Sequence, residues 1–128
     1  MDDRNKYDQG MKVRRAVLGD AHVDRSLQHR TPFNEAFQDL LTRYAWGEIW
    51  SRPGLSRQIR SMLTLAMMVA LNRPEELRLH LRAALNNGVS RDEIQEVLLQ
   101  AAIYCGVPAA NSAFYAAEEV FAQADQKS

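Results

Sequence analysis

Helix punctuation recurs along this chain so often that little room is left for strands. No stretch sustains apolar–polar alternation, and no Asn-Gly pair sits between β-branched runs. Thr31-Pro32 reads as N-cap and first helical residue of a helix running to about Trp46, with Phe33, Phe37, Leu40, Leu41 and Tyr44 on one face. Gly47 loosens that helix, and Arg52-Pro53-Gly54 closes the segment after it. Ser56 caps the next helix, whose Ile59, Met62, Leu63, Ala66, Met67 and Ala70 share a face while Leu65, Met68 and Val69 cover much of the rest. It is therefore predicted to be buried on most sides and to form the centre of the core. Pro74 opens another helix, with Glu75 and Glu76 in the first turn where the dipole favours them, and Asn87-Gly88 closes it. Ser90-Arg-Asp-Glu93 is a capping box, Gly106 stops the helix it opens, and a last alanine-rich helix comes after Val107-Pro108. Upstream, residues 11–18 form a short helix closed by Gly19, residues 20–30 are polar and ambiguous, with loop the reading offered, and residues 1–10 read as disordered. The expectation is an all-α fold of about six helices in a single domain, residues 11–124.

Charge narrows the function classes. Sixteen Lys and Arg balance sixteen Asp and Glu in 128 residues, so no global field attracts nucleic acid or an anionic membrane. Recognition of an anion must come from local placement. One cysteine, Cys105, excludes a disulfide framework and a CxxC pair, and it reads as a small buried hydrophobe. His22, His29 and His80 have no metal-ligand spacing, so no metal site is expected. The apolar run over residues 62–71 is too short to span a bilayer. The start of the chain lacks the apolar core of an export signal, and a cytoplasmic location is expected.

The chemistry-bearing residues concentrate in Arg43-Tyr-Ala-Trp-Gly-Glu-Ile-Trp-Ser-Arg-Pro-Gly-Leu55. A guanidinium forks onto a carboxylate while an indole covers a π-face, so Trp46 and Trp50 with Arg43 and Arg52 can hold a flat anion. The plainer alternative is a helix end with aromatics in the core. His80 lies at the edge of an apolar stripe one turn after Glu76, as a tunable acid or base requires, or as a histidine completing a hydrogen-bond network would. Arg73 stands before a chain break, as Arg52 does, where a side chain can project into a cleft.

Five segments in order carry a likeness to a known family: residues 15–25, Tyr44-Ala-Trp-Gly-Glu-Ile-Trp50 with Arg52-Pro-Gly-Leu55, residues 60–66, Glu76-Leu-Arg-Leu-His-Leu-Arg82, and Tyr104-Cys-Gly-Val-Pro-Ala-Ala-Asn111. Over roughly residues 12–122 the chain resembles the 4-carboxymuconolactone decarboxylase family, of the alkylhydroperoxidase D-like helical superfamily. Redox members of that superfamily carry CxxC with a histidine four residues on. Matched through His80, those cysteine positions hold Arg73 and Glu76, so a thiol peroxidase is not expected.

The resemblance implies cofactor-free loss of CO2 from 4-carboxymuconolactone, giving 3-oxoadipate enol-lactone in aromatic (protocatechuate) catabolism. The electron pair left by the departing carboxylate flows through the ring double bond onto the lactone carbonyl, so the substrate is its own electron sink. The protein must grip carboxylates, stabilise an oxyanion and deliver a proton. His80 is then the proton donor or oxyanion partner, oriented by Glu76. Glu48 is the competing acid, which would need the apolar surround of Trp46 and Trp50 to keep its proton. Arg52 and Arg73 are first candidates for the substrate carboxylates, with Arg43 and Arg57 behind them. The family implies a homo-oligomer, trimer or hexamer, with no nucleic-acid or membrane partner. The rivals are a same-fold enzyme on another lactone acid and a non-catalytic oligomeric module.

Overall fold

The computed structural model describes residues 2–127, and among them every regular element is helical. The order is α1 (Asp3–Leu18), α2 (Asp20–Gln28), α3 (Glu35–Leu41), a π-helical stretch (Thr42–Ile49), α4 (Arg57–Leu71), α5 (Pro74–Asn86), α6 (Arg91–Cys105) and α7 (Val107–Lys127). The all-α expectation holds, but the described residues form seven α-helices rather than about six. The additional one is α2, read from sequence as loop. It is polar and needs only one anchor, Val23, which is fully buried. Arg15 of α1 clamps it, reaching Asp20 at 3.0 Å and Asp24 at 2.9 Å. The helices group into two compact units, residues 1–57 and 58–128, where the sequence suggested one domain over 11–124.

In the first unit α1 begins at Asp3, not near residue 11. The Asp2 carboxylate accepts from the Asn5 amide at 2.8 Å, which caps the turn expected to be disordered; Met1 lies outside the described residues. The 31–34 segment is a turn rather than a helix start. Asn34 accepts from the Thr31 amide at 2.9 Å and its own amide donates to the Thr31 hydroxyl at 3.3 Å, so α3 starts only at Glu35. The predicted apolar face of that helix is not buried. Phe33 is 98% exposed, and Phe37, Leu40 and Tyr44 are also exposed.

The second unit has one core, in which Leu65 and Val69 of α4, Leu77 and Leu81 of α5, Ile94 and Leu98 of α6, and Val120 of α7 meet. Here too the predicted face is corrected. Helix α4 buries Ser61, Leu65 and Val69, whereas Ile59, Leu63 and Met67 are exposed. The buried row carries Leu65 and Val69 into the core, and the Ser61 hydroxyl on it is satisfied by accepting from the Asn87 side-chain amide at 3.1 Å. The capping box forms as read: the Glu93 amide donates to the Ser90 hydroxyl at 3.0 Å, and the Ser90 amide to the Glu93 carboxylate at 2.9 Å. Small residues let α7 pack closely, with Ala110, Ala113, Ala116 and Ala117 all buried. Arg91 of α6 reaches Asp125 of α7 at 2.6 Å and stacks 4.7 Å from the centre of the Phe121 ring.

Candidate active site

The first unit is organised by a crossing of two backbones. A Cβ placed on Gly10 would stand 2.0 Å from the Thr42 carbonyl oxygen, and one on Gly47 would stand 2.3 Å from that of Lys6. Only glycine at both positions lets α1 approach the π-helical stretch this closely. Such stretches are rare and recur at functional sites. This one carries Trp46 and leads into Trp50, whose rings sit 5.1 Å apart at 33°. Trp46 is core, at 5% exposure, while Trp50 is half-buried.

Arg14 fixes the same crossing from inside. Its guanidinium is buried and meets only neutral groups: the Thr42 hydroxyl at 3.4 Å, the Ser26 hydroxyl at 3.0 Å and the Gln38 amide oxygen at 3.5 Å. Its Nε finds no hydrogen-bond partner among the described residues. Burial lowers its pKa from the ordinary value, as desolvation of a cation should. A cation held without a counter-charge is costly, and here it ties α1, α2, α3 and the start of the π-helical stretch at one point.

Beside this crossing lies an open groove of about 820 Å³. Lys12 of α1 and Arg52 and Arg57 beyond Trp50 contribute three cations to its lining, against a single carboxylate, Asp8. Trp50, Val13 and Leu55 supply apolar wall. Neither Lys12 nor Arg57 has a carboxylate within ion-pair distance among the described residues. A groove with surplus positive charge beside an indole can hold a small flat polyanion, the property sought in the 43–55 segment. Lys12 was missed from sequence because a lone lysine on a polar helix face carries no signal of its own.

The remaining predicted residues are dispersed. Glu48 is not wrapped by the tryptophans: its carboxylate is 48% exposed and lies 3.7 Å from the Lys6 ammonium. Trp46 is buried, whereas Glu48, two residues on along the π-helical stretch, faces solvent. Arg43 opens onto a different cleft, with Tyr7, Arg30 and Asp39. In the second unit, Arg73 precedes α5 and lines a cleft of about 90 Å³, room for a few waters. On α5, Glu76 is exposed and His80 half-buried. Cys105, expected in the core, is exposed on the rim of an apolar groove between α4 and α6. It ends its helix just before Gly106, whose φ of 103° turns the chain away. Among the described residues no three His, Cys, Asp or Glu side chains cluster closely enough to hold a metal ion.

The profile of the carboxymuconolactone decarboxylase family matches residues 35–119. The chain belongs to this family. It is 53% identical to a 4-carboxymuconolactone decarboxylase of Acinetobacter baylyi, over 94% of this chain and 90% of that one. It is 49% identical to a nitrosuccinic acid decarboxylase of Metarhizium robertsii, over 82% of this chain and 73% of that one. A further 4-carboxymuconolactone decarboxylase, from Pseudomonas putida, is 58% identical over 48 residues, covering 38% of this chain and all of that sequence. The stretch matched by the family takes in every residue singled out from sequence as a site candidate. Lys12, on α1, lies outside it.

Proposed function

We propose that the chain catalyses cofactor-independent decarboxylation of 4-carboxymuconolactone to 3-oxoadipate enol-lactone and CO2, a carboxy-lyase step in aromatic catabolism. The observation that carries this reading is 53% identity to a protein of that name across nearly the whole of both chains. The groove supports the gripping part of this reading. Arg52 and Arg57, joined by Lys12, suit the two substrate carboxylates, and Trp50 offers a wall for the flat butenolide. Loss of the carboxylate on the ring carbon sends its bonding pair through the ring double bond to the lactone carbonyl, and a proton returns at the carbon α to that carbonyl. With the sink inside the substrate, the protein needs to add only grip, oxyanion stabilisation and one proton.

His80, oriented by Glu76, is the proposed proton-handling group. Glu48 is the weaker candidate, because its carboxylate is open to water and already faces Lys6. Arg73 and Arg43 remain secondary carboxylate ligands. The proposal extends to the alkylhydroperoxidase D-like fold, a cytoplasmic location and a homo-oligomer, trimer or hexamer. Exposure of Phe33, Phe37, Ile103 and Tyr104 supports a partner copy covering apolar surface. No helix among the described residues is long and apolar enough to cross a membrane.

The test is ultraviolet loss of the lactone with CO2 release by purified, metal-stripped protein. His80→Ala should cut turnover at least about tenfold, and Glu48→Gln should do likewise if it shares the proton work. Near-wild-type rates in both variants would remove the proton assignments, and no turnover by the wild-type chain would remove the function. One observation favours a second substrate: the 49% identical relative is named for nitrosuccinic acid.

A further inference from the structure

We propose that this site recognises a succinate skeleton, and that its substrates are succinate dianions whose C2 carries a conjugated electron acceptor. The inference rests on the proposed decarboxylase function and specifies what is gripped. In 4-carboxymuconolactone the reacting ring carbon bears both the departing carboxylate and a CH2–carboxylate arm. Those atoms, carboxylate–carbon–CH2–carboxylate, are a succinate, and the unsaturated lactone is its substituent. Nitrosuccinic acid, for which a relative is named, is the same skeleton with a nitro group in that place. The two molecules share the succinate and differ only in the electron sink.

The groove is built to match what is shared. Three cations, Lys12, Arg52 and Arg57, face two carboxylates, with Asp8 the one opposing charge in the lining. A dianion is thus held at both ends, and a monoacid at one. What lies between need only be flat enough to rest near Trp50, and about 820 Å³ leaves room for either a five-membered ring or a nitro group.

The reaction balances for both sinks. In 2-nitrosuccinate the C2–carboxylate bond breaks, CO2 leaves, and the bonding pair passes to C2 and the nitro oxygens as a nitronate. One proton at C2 then gives 3-nitropropanoate, with no oxidant or reductant. The protonated atom differs: it is the carbon that lost CO2 here, but a ring carbon two bonds away in the lactone. The grip is therefore common to both substrates and the proton delivery is not.

The experiment compares three compounds on purified full-length protein. With the lactone as reference, 2-nitrosuccinate is expected to lose CO2 and yield 3-nitropropanoate above the enzyme-free rate. Methylsuccinate, which has no sink, should inhibit lactone turnover competitively at least about tenfold better than butanoate, because it keeps the second charged contact. Lys12→Met and Arg57→Met should raise KM for both substrates by a similar factor, with circular dichroism unchanged. If the lactone turns over while nitrosuccinate stays at the enzyme-free rate and methylsuccinate is no better than butanoate, the inference falls and the decarboxylase reading stands. If nitrosuccinate reacts and the lactone does not, succinate recognition stands and the lactone reading falls. If neither reacts, both fall.

Discussion

Replacing Gly10 by alanine tests the backbone crossing on which the groove is hung. The new Cβ would meet the Thr42 carbonyl oxygen at 2.0 Å and the Gly47 amide nitrogen at 2.8 Å, whereas real Cβ atoms essentially never come within 3.0 Å of another group. One backbone must retreat by about an ångström, and neither obstacle is a side chain that could swing aside. Overpacking a fixed contact costs about 1–3 kcal/mol, and two backbone obstacles argue for the upper end. Alanine in a helix interior recovers about 1 kcal/mol over glycine. The net is a loss of about 2 kcal/mol, or roughly 5–10 °C in Tm. Gly47→Ala meets the Lys6 carbonyl oxygen at 2.3 Å and should behave alike. The double variant should cost less than the sum, since the first displacement opens space for the second. Gly54→Ala is the control: nothing lies within 4 Å of its Cβ, so stability should hold or rise by about 0.5 kcal/mol. Both tryptophans of the chain lie in the first unit, so urea unfolding monitored by Trp fluorescence reports on this unit directly. Gly10→Ala within about 0.5 kcal/mol of wild type would refute the close crossing.

Leu98 is fully buried in the second unit, and Leu98→Ala should cost about 2–5 kcal/mol by urea denaturation, through lost transfer energy plus a cavity. Cys105 is exposed, so Cys105→Ser should leave stability within about 0.5 kcal/mol and lactone turnover unchanged; a large fall in turnover would revive a thiol role. Arg91 holds the Asp125 carboxyl below its ordinary value, so this clamp supports α7 at neutral pH and is lost as pH falls through that depressed value. Amide exchange in the last turns of α7 should accordingly rise in Asp125→Asn at pH 7, and the difference from wild type should vanish in strong acid.

Elements announced by local chemistry were legible in the sequence. Pro74 with its two glutamates, the Ser90–Glu93 box and Gly106 each act within a turn, and α5, α6 and the start of α7 fall where those signals put them. What failed was the choice of buried face. Periodicity marks apolar stripes but does not rank them, and α4 carries three. The partners of the buried one, Leu77, Leu81 and Leu98 in the core and Asn87 at Ser61, lie outside this helix. Helix α2 was invisible for a related reason: its single buried anchor and the Arg15 clamp leave no 3.6-residue pattern. In the candidate site, Trp50, Arg52 and Arg57 do line one groove, while Lys12 had to wait for the glycine crossing that brings α1 alongside.

The weakness of the site signal stems from the chemistry proposed for it. A hydrolase advertises a nucleophile and its base, and a metalloenzyme advertises ligands at fixed spacing, because those reactions need particular atoms bonded in a particular order. A substrate that carries its own electron sink removes that demand. Three cations from two separate stretches of chain, Lys12 on one side and Arg52 and Arg57 on the other, can grip a dianion without any fixed sequence interval. An arginine among many in the chain then looks like solvated surface until the backbone gathers it. Similarity spread along the whole chain identifies such a protein more readily than any short motif, because the constraint lies in the crossing of α1 with the π-helical stretch, where Gly10 and Gly47 let two backbones meet.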